Sequence, residues 1–424
     1  MNIRIFGGRV VDPANQIDQI ADVYISEGKI TAIGEAPAGF EADQEIDASH
    51  QVVAPGLVDM SAHMREPGQT QKGTILSESA AAAAGGVTSL VTPPNNKPIT
   101  DTAAVAKLIG EKAEQAGYAR IYPVGALTRG LEGEQLAPMH ALAQSGCIAF
   151  SNMRQPINSS LVLMRTLEYA ATHDLLVIFQ PQDADLAKGG CMRDGANCTR
   201  LGLNGISEAA ETVEVSRCLL LAEQTGVRAH FGQLSTEKAV RMVMEARQKG
   251  LNVSADVPVH HLILTDENVN GFDSNFHLIP PLGSQLDRAG LRQALMADGI
   301  QAICSDHQPH EAIAKEAPFA ATEPGISGLE TLLSLSLTLV HQGLLELPQL
   351  LHKLTAGPAQ VLGIEAGTLS QGATADICIF DPEMSWQPTA ENLRTAGKNT
   401  PFTEVTLTGR VTNTLLGGKL VYQL

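Results

Sequence analysis

Residues 227–257 read VRAHFGQLSTEKAVRMVMEARQKGLNVSADV. A short apolar run (227–233) gives way to a segment with apolar residues at helical spacing (235–250). A second apolar run follows at 251–257. Gly250 stands where the helix should stop. The stretch therefore predicts one strand–helix–strand unit. The same unit recurs outward in both directions. GLVDMSA (56–62), VTSLVTP (87–93), RIYPVGA (120–126), CIAFSN (147–152) and LLVIFQ (175–180) precede it, and IQAICSD (300–306) follows. Together with the two runs already quoted, these make eight. Helix-like segments such as TILSESAAAAAGG (74–86) and SEAAETVEVSRCLLLAEQTG (207–226) lie between them. Gly86 and Gly226 mark two more helix ends. AAAAAGG (80–86) predicts a helix end packed close to the sheet. Eight strand–helix units in succession predict an α/β fold, a (β/α)8 TIM-like barrel.

The two ends of the chain carry a different pattern. IRIFGGRVVD (3–12) and ADVYISEGKITAIG (21–34) alternate apolar and polar residues around Gly-containing turns. ADICIFDP (375–382) and EVTLTGRVTNTLLGGKLVY (404–422) do the same. The expected organisation is a composite β-sandwich domain from 1–52 and 366–424 around a barrel domain of 53–365.

Composition narrows the function. Of 424 residues, 29 are Lys or Arg and 46 are Asp or Glu, giving a net charge of −17. That balance argues against a nucleic-acid backbone as ligand. No run has the length of a membrane span, and the first residues, MNIRIFGGRVVDP, lack a signal-peptide core. A cytoplasmic location is expected. The 6 cysteines form no Cys-x-x-Cys pair and read as small buried hydrophobes.

Chemistry in a parallel barrel sits at the C-terminal ends of the strands. The first run ends in Ser61-Ala62-His63, followed by Met64-Arg65. Residues two apart on a strand share a face, so Ser61 and His63 should both point to the axis. The second run closes near Asn95, the fourth at Asn152, the fifth at Gln180 and the sixth at Gln233. His260-His261 follow the seventh and read as a packed structural pair. The eighth closes at Asp306-His307, with His310 beyond. Three closing positions are amides, which are poor zinc ligands. His63 and Asp306 remain, and two ligands are too few for a tetrahedral zinc site. Asp306 is expected to pair with His63 or with amide neighbours. Arg65 is expected to meet either a carboxylated ligand or a local carboxylate.

These segments resemble the dihydroorotases of the amidohydrolase superfamily over essentially the whole chain. PGLVDMSAHMREPGQTQKGT, TPPNNKPITD, AFSNMRQPI, LGLNGISEAAE, PPLGSQLDR, SDHQPH, PGISGLETLLSLSL and KNTPFTEVTLTGRVTNTLLGGKLVY carry the resemblance. It implies a metal-bearing barrel with an added β domain. It also implies that Ser61 stands where the family has the first His of His-x-His, Asn152 where it has an acidic ligand, and Gln180 and Gln233 where it has histidines. His63 and Asp306 match. Arg65, Asn95 and His310 match substrate-binding positions. Ile279 and Gly283 replace a substrate-contacting Asn and an Arg.

Four of the six metal positions have lost their ligand type. Loss of one supporting partner already costs roughly 10–100-fold in metal affinity or activity. The resemblance therefore implies a vestigial site at Ser61, His63, Asn152, Gln180, Gln233 and Asp306. Zinc, the family's cofactor, is expected to be lost, and no residue is expected to be catalytic. It further implies a retained role as oligomeric assembly partner of the aspartate carbamoyltransferase catalytic chain in pyrimidine biosynthesis. The alternative is an active dihydroorotase or cyclic-amide hydrolase with an altered or mononuclear metal site.

Overall fold

A computed structural model describes all residues, 1–424. The eight apolar runs form eight parallel strands in chain order. They are Leu57–Asp59, Val87–Thr92, Arg120–Ala126, Ala149–Ser151, Leu176–Phe179, Ala229–Phe231, Val253–Pro258 and Ala302–Cys304. Strands buried on both faces need no polar alternation, which is why they read as continuous apolar runs. The eighth meets the first just past the strand ends. Ala62 and His307 form a parallel bridge there. His63 N donates to His307 O at 2.8 Å, and His307 N to Ser61 O at 3.2 Å. Below this closure Ser305 N donates to Asp59 Oδ1 at 2.9 Å, and the Ser305 hydroxyl donates to Asp59 Oδ2.

The expected helices are present. Thr74 caps Ile75–Ala84 by accepting from Ser77 N, and Ser207 caps Glu208–Thr225. Gly85 and Gly86 close the first of these under close contact. A Cβ on Gly85 would lie 2.3 Å from Leu329 O, and one on Gly86 2.4 Å from Cys378 Sγ. Gly86 also takes φ +78°, a conformation that only glycine adopts at little cost. Small residues are required where this helix end meets the barrel and the terminal sheet. Sequence periodicity did not reveal the excursion at 192–206, where Met192–Arg193 pairs with Gly205–Ile206 around a short helix. All six cysteines are free and buried.

Both chain ends contribute to two further sheets. One has four strands, all from residues 2–47. The other has six, from Arg9–Asp12, Ile17–Ile20, Val52–Pro55, Ile377–Trp386, Leu407–Leu416 and Lys419–Gln423. The two sheets share a core of 14 buried residues, among them Ile3, Ile25, Val53, Ile377 and Leu415. Val52–Pro55 pairs with Arg9–Val10 and with Ile377–Phe380. The edge of this terminal layer thus falls at Pro55 rather than at 52. Only Gly56 separates that strand from the first barrel strand, so no loop marks the change of layer. No helix is long and apolar enough to cross a membrane.

Candidate functional site

The strand ends converge as the barrel requires, and the backbone there is unusual. Arg65, Met153, Gln233 and Asp306 all have positive φ, at 60°, 55°, 58° and 46°. Non-glycine residues reach this region at a cost of roughly 1–2 kcal/mol each. Such residues cluster at functional sites, where surrounding packing holds them. The sharp turns that aim strand-end side chains inward are therefore kept, whatever those side chains now are.

Gln233 lies at the centre of the mouth. Its Nε2 donates to Ser61 Oγ at 2.8 Å and to Asp306 Oδ1. Its Oε1 accepts from Arg154 Nη2 at 2.6 Å. Gln308 Nε2 also donates to Asp306 Oδ1, at 3.0 Å. Burial pushes the Asp306 carboxyl up to about 7. Arg154 and Gln308 pull it down, while Asp256 and Asp59 add to the rise. The expected pairing of Asp306 with amide neighbours is what the structure has. The other option, a pair with His63, is absent, since the His63 ring makes no hydrogen bond. Burial, then Arg65 and other nearby positive groups, hold that ring neutral, well below its usual pKa.

The other two amides behave differently. Asn152 is turned away from the axis. Its Oδ1 accepts from Thr128 Oγ1 at 2.7 Å and Thr128 N at 3.3 Å, and its Nδ2 donates to Gln155 O and Leu131 O. Gln180 is buried, and its Oε1 has no partner. It borders a cavity of about 10 Å³ shared with Ser61 and Ser151, room for one water at most. A larger pocket of about 300 Å³ opens beside it, bordered by Asn152, Arg154, Gln180, Asp183 and Arg217.

On the opposite side of the mouth, Arg65 does not meet a carboxylate. This corrects the expectation of a local ion pair. Its Nε donates to Pro309 O at 3.0 Å, and its Nη2 lies 3.1 Å from His310 Nε2. Burial lowers the Arg65 guanidinium to about 10. Lys72 Nζ lies 3.2 Å from His310 Nδ1, and Pro324 O lies 3.0 Å from His310 Nε2. An ammonium only donates, so Nδ1 accepts from Lys72 and Nε2 carries the proton toward Pro324 O, which leaves the Arg65 guanidinium, also a donor, in contact with Nε2 without a hydrogen bond to it. Burial, followed by Arg65 and Lys72, lowers His310 to about 3. Asn95 is exposed and makes no hydrogen bond, whereas the adjacent Asn96 is buried and donates to Thr100 Oγ1 at 3.0 Å. The structure thus joins Arg65 to His310 and leaves Asn95 apart. Ile279 and Gly283 place no polar side chain in the mouth. His260 and His261 are packed together with ring centroids 4.8 Å apart, and none of their four nitrogens has a partner.

Three participants escaped the reading of strand ends: Arg154, Gln308 and Lys72. Each follows a strand-end position by at least two residues, on a loop whose path periodicity does not give. The charge of Arg154, two residues past the strand-end Asn152, was the available signal.

Zinc does not fit this donor set. Only His63 and Asp306 are of ligand type, Asp306 is occupied by two amides, and Asn152 faces its own loop. Nowhere in the chain do three or more His, Cys, Asp or Glu side chains group so as to hold a metal ion.

Fold and site together define an α/β barrel of the amidohydrolase type with an additional β domain. L-hydantoinase from Arthrobacter aurescens has the same fold, with a TM-score of 0.89 over 99% of this chain and 96% of that one at 23% identity. The family model described as Dihydro-orotase-like matches residues 50–239. A dihydroorotase-like protein of Pseudomonas aeruginosa is 52% identical over 423 residues, 100% of both chains. A dihydroorotase of Anaeromyxobacter dehalogenans is 43% identical over 421 residues, 99% of this chain and 97% of that one. The chain belongs to the dihydroorotase-like family.

Proposed function

We propose that this chain is a non-catalytic member of the family, kept as an assembly partner of the aspartate carbamoyltransferase catalytic chain in pyrimidine biosynthesis. One observation carries the first half. The Gln233 amide bridges Ser61 and Asp306, so a neutral side chain spans the space between the first and eighth strand ends. Ring-amide hydrolysis at neutral pH in such barrels depends on a metal-activated water. With Asp306 engaged by Gln233 and Gln308, the mouth offers no free carboxylate base and no ligand set, and burial makes the unpaired His63 ring a weak base.

The partner is supported by the contrast between fold and site. The barrel closure, the strained strand-end turns and the terminal β layer are all intact. The departures fall on the side chains that would do chemistry. A chain kept for an interface needs its fold and surface, and a stable interface typically buries at least roughly 1,200 Å².

One observation favours the second reading, an active cyclic-amide hydrolase with an altered or single-metal site. Relatives at 43% identity are named dihydroorotase, and His63, Arg65, Asp306 and His310 all persist here.

The test is to express the carbamoyltransferase chain with and without this protein, comparing native mass and activity, alongside a dihydroorotase assay of the purified protein. Co-elution with support of carbamoyltransferase activity, and no dihydroorotate turnover, is expected. Separate elution at micromolar concentration with a fully active carbamoyltransferase overturns the partner role. Turnover that disappears in Asp306→Ala overturns the non-catalytic reading.

A further inference from the structure

The mouth holds a guanidinium that none of the resemblance-derived positions accounts for. Arg154 follows Met153, whose left-handed backbone turns the chain back over the strand ends. The side chain is half-buried, and its nearest bond is to Gln233 Oε1 at 2.6 Å. Through that amide it reaches Ser61 and Asp306. No carboxylate lies within ion-pair distance of it. The negative groups that bear on it come from three other elements: Asp306 after the eighth strand, Glu211 on the helix at 208–225, and Asp256 on the seventh strand.

Two of these acids have other partners. Asp256 accepts from Gln233 N at 2.7 Å and lies 2.7 Å from His230 Nε2. Glu211 accepts from Ser235 N at 2.8 Å and from Ser235 Oγ at 2.5 Å, with Arg193 at 3.6 Å. Asp306 alone has only amides against it. A buried carboxylate stays ionised only with support from positive charge or hydrogen-bond donors nearby. A metal-bearing barrel obtains that charge from its ions. Here a side chain supplies it.

We propose that Arg154 is the resident cation of this site: it balances Asp306, holds Gln233 in its bridging position and keeps divalent metal out. Resting on the reading that the native chain holds no metal, the proposal adds that the four lost ligands are not the whole barrier. A fixed positive charge repels a divalent ion twice as strongly as a monovalent one. Return of the ligands therefore restores metal only when Arg154 is also removed.

The test compares two variants. Both carry Ser61→His, Asn152→Asp, Gln180→His and Gln233→His; one keeps Arg154 and the other adds Arg154→Ala. Each is incubated with zinc, desalted and assayed for zinc per chain. The second should retain at least roughly tenfold more, the scale on which single supporting groups alter metal affinity. Equal zinc in the two, high or low, overturns the proposal. A second measurement covers poor folding of these variants. In the otherwise native chain, millimolar methylguanidinium should raise the melting temperature of Arg154→Ala and leave the native protein unchanged. An equal response of the two overturns the proposal as well. Zinc in the native chain would instead count against the non-catalytic reading, so the two failures are distinguishable.

Discussion

Asn152 Oδ1 accepts the Thr128 hydroxyl at 2.7 Å, so the side chain at the fourth strand end serves the neighbouring loop and not the barrel axis. Its Nδ2 completes the arrangement by donating to Gln155 O at 3.1 Å and Leu131 O at 3.3 Å. Asn152→Asp replaces those two donors with an acceptor facing two carbonyls. Leaving buried groups unpaired costs about 1–3 kcal/mol. We expect a lower urea midpoint for Asn152→Asp and no gain in zinc. An unchanged midpoint would show that the Asn152 amide bonds are dispensable.

The barrel closure gives a second prediction. Glu78 is fully buried, pairs with His307 Nε2 at 2.8 Å, and accepts from Thr395 Oγ1 at 2.5 Å and Ala396 N at 3.0 Å. It thereby ties the first helix, the eighth strand end and the tail loop together. Removing one partner of a buried pair costs about 3–5 kcal/mol. Glu78→Ala should unfold at clearly lower urea than Glu78→Gln. Both should unfold at lower urea than the native protein, and a native midpoint for Glu78→Gln would mean that the charge on Glu78 contributes nothing.

The paired histidines predict a pH dependence. Burial lowers His260 to about 3, below the 6.5 of an exposed ring. A depressed histidine contributes stability that is present above the unfolded pKa and lost as pH falls below it, because the unfolded chain binds the proton more readily. His260→Phe removes that linkage. Its melting temperature relative to the native protein should rise as pH drops from 8 to 5.5. A difference that is constant across that range would mean that the ring is not held neutral.

The fold was legible because a parallel barrel writes itself as apolar runs separated by amphipathic helices, and the eight runs needed no tertiary information. The layer change at Pro55 was not legible, since Gly56 is the only break between Val52–Pro55 and Leu57–Asp59. At the site, the kinds of residue at the strand ends could be read, but not their directions. Three amides stand at ligand positions, and only Gln233 bridges the axis. Asn152 is captured by Thr128, 24 residues earlier, a contact set by how two loops pack. Arg65 and His310 were found from motifs, yet the contact of His310 with Lys72 and the absence of a carboxylate at Arg65 depend on a fold-back of the chain that no local pattern encodes.

If the role is assembly, the mouth and the partner surface should be separable. His63→Ala and Asp306→Ala should leave the complex with aspartate carbamoyltransferase intact, whereas charge reversals on the contacting surface should abolish it. Size-exclusion mass of the co-expressed chains reads both. Loss of the complex on Asp306→Ala in a folded protein would place the interface at the mouth instead.

The central claim, that the barrel mouth has exchanged its metal for protein side chains, is tested most directly by elemental analysis of the native chain purified in zinc-supplemented buffer. The account predicts far less than one zinc per chain, with no change in melting temperature on adding a chelator. One or more tightly held zinc ions per chain would contradict it.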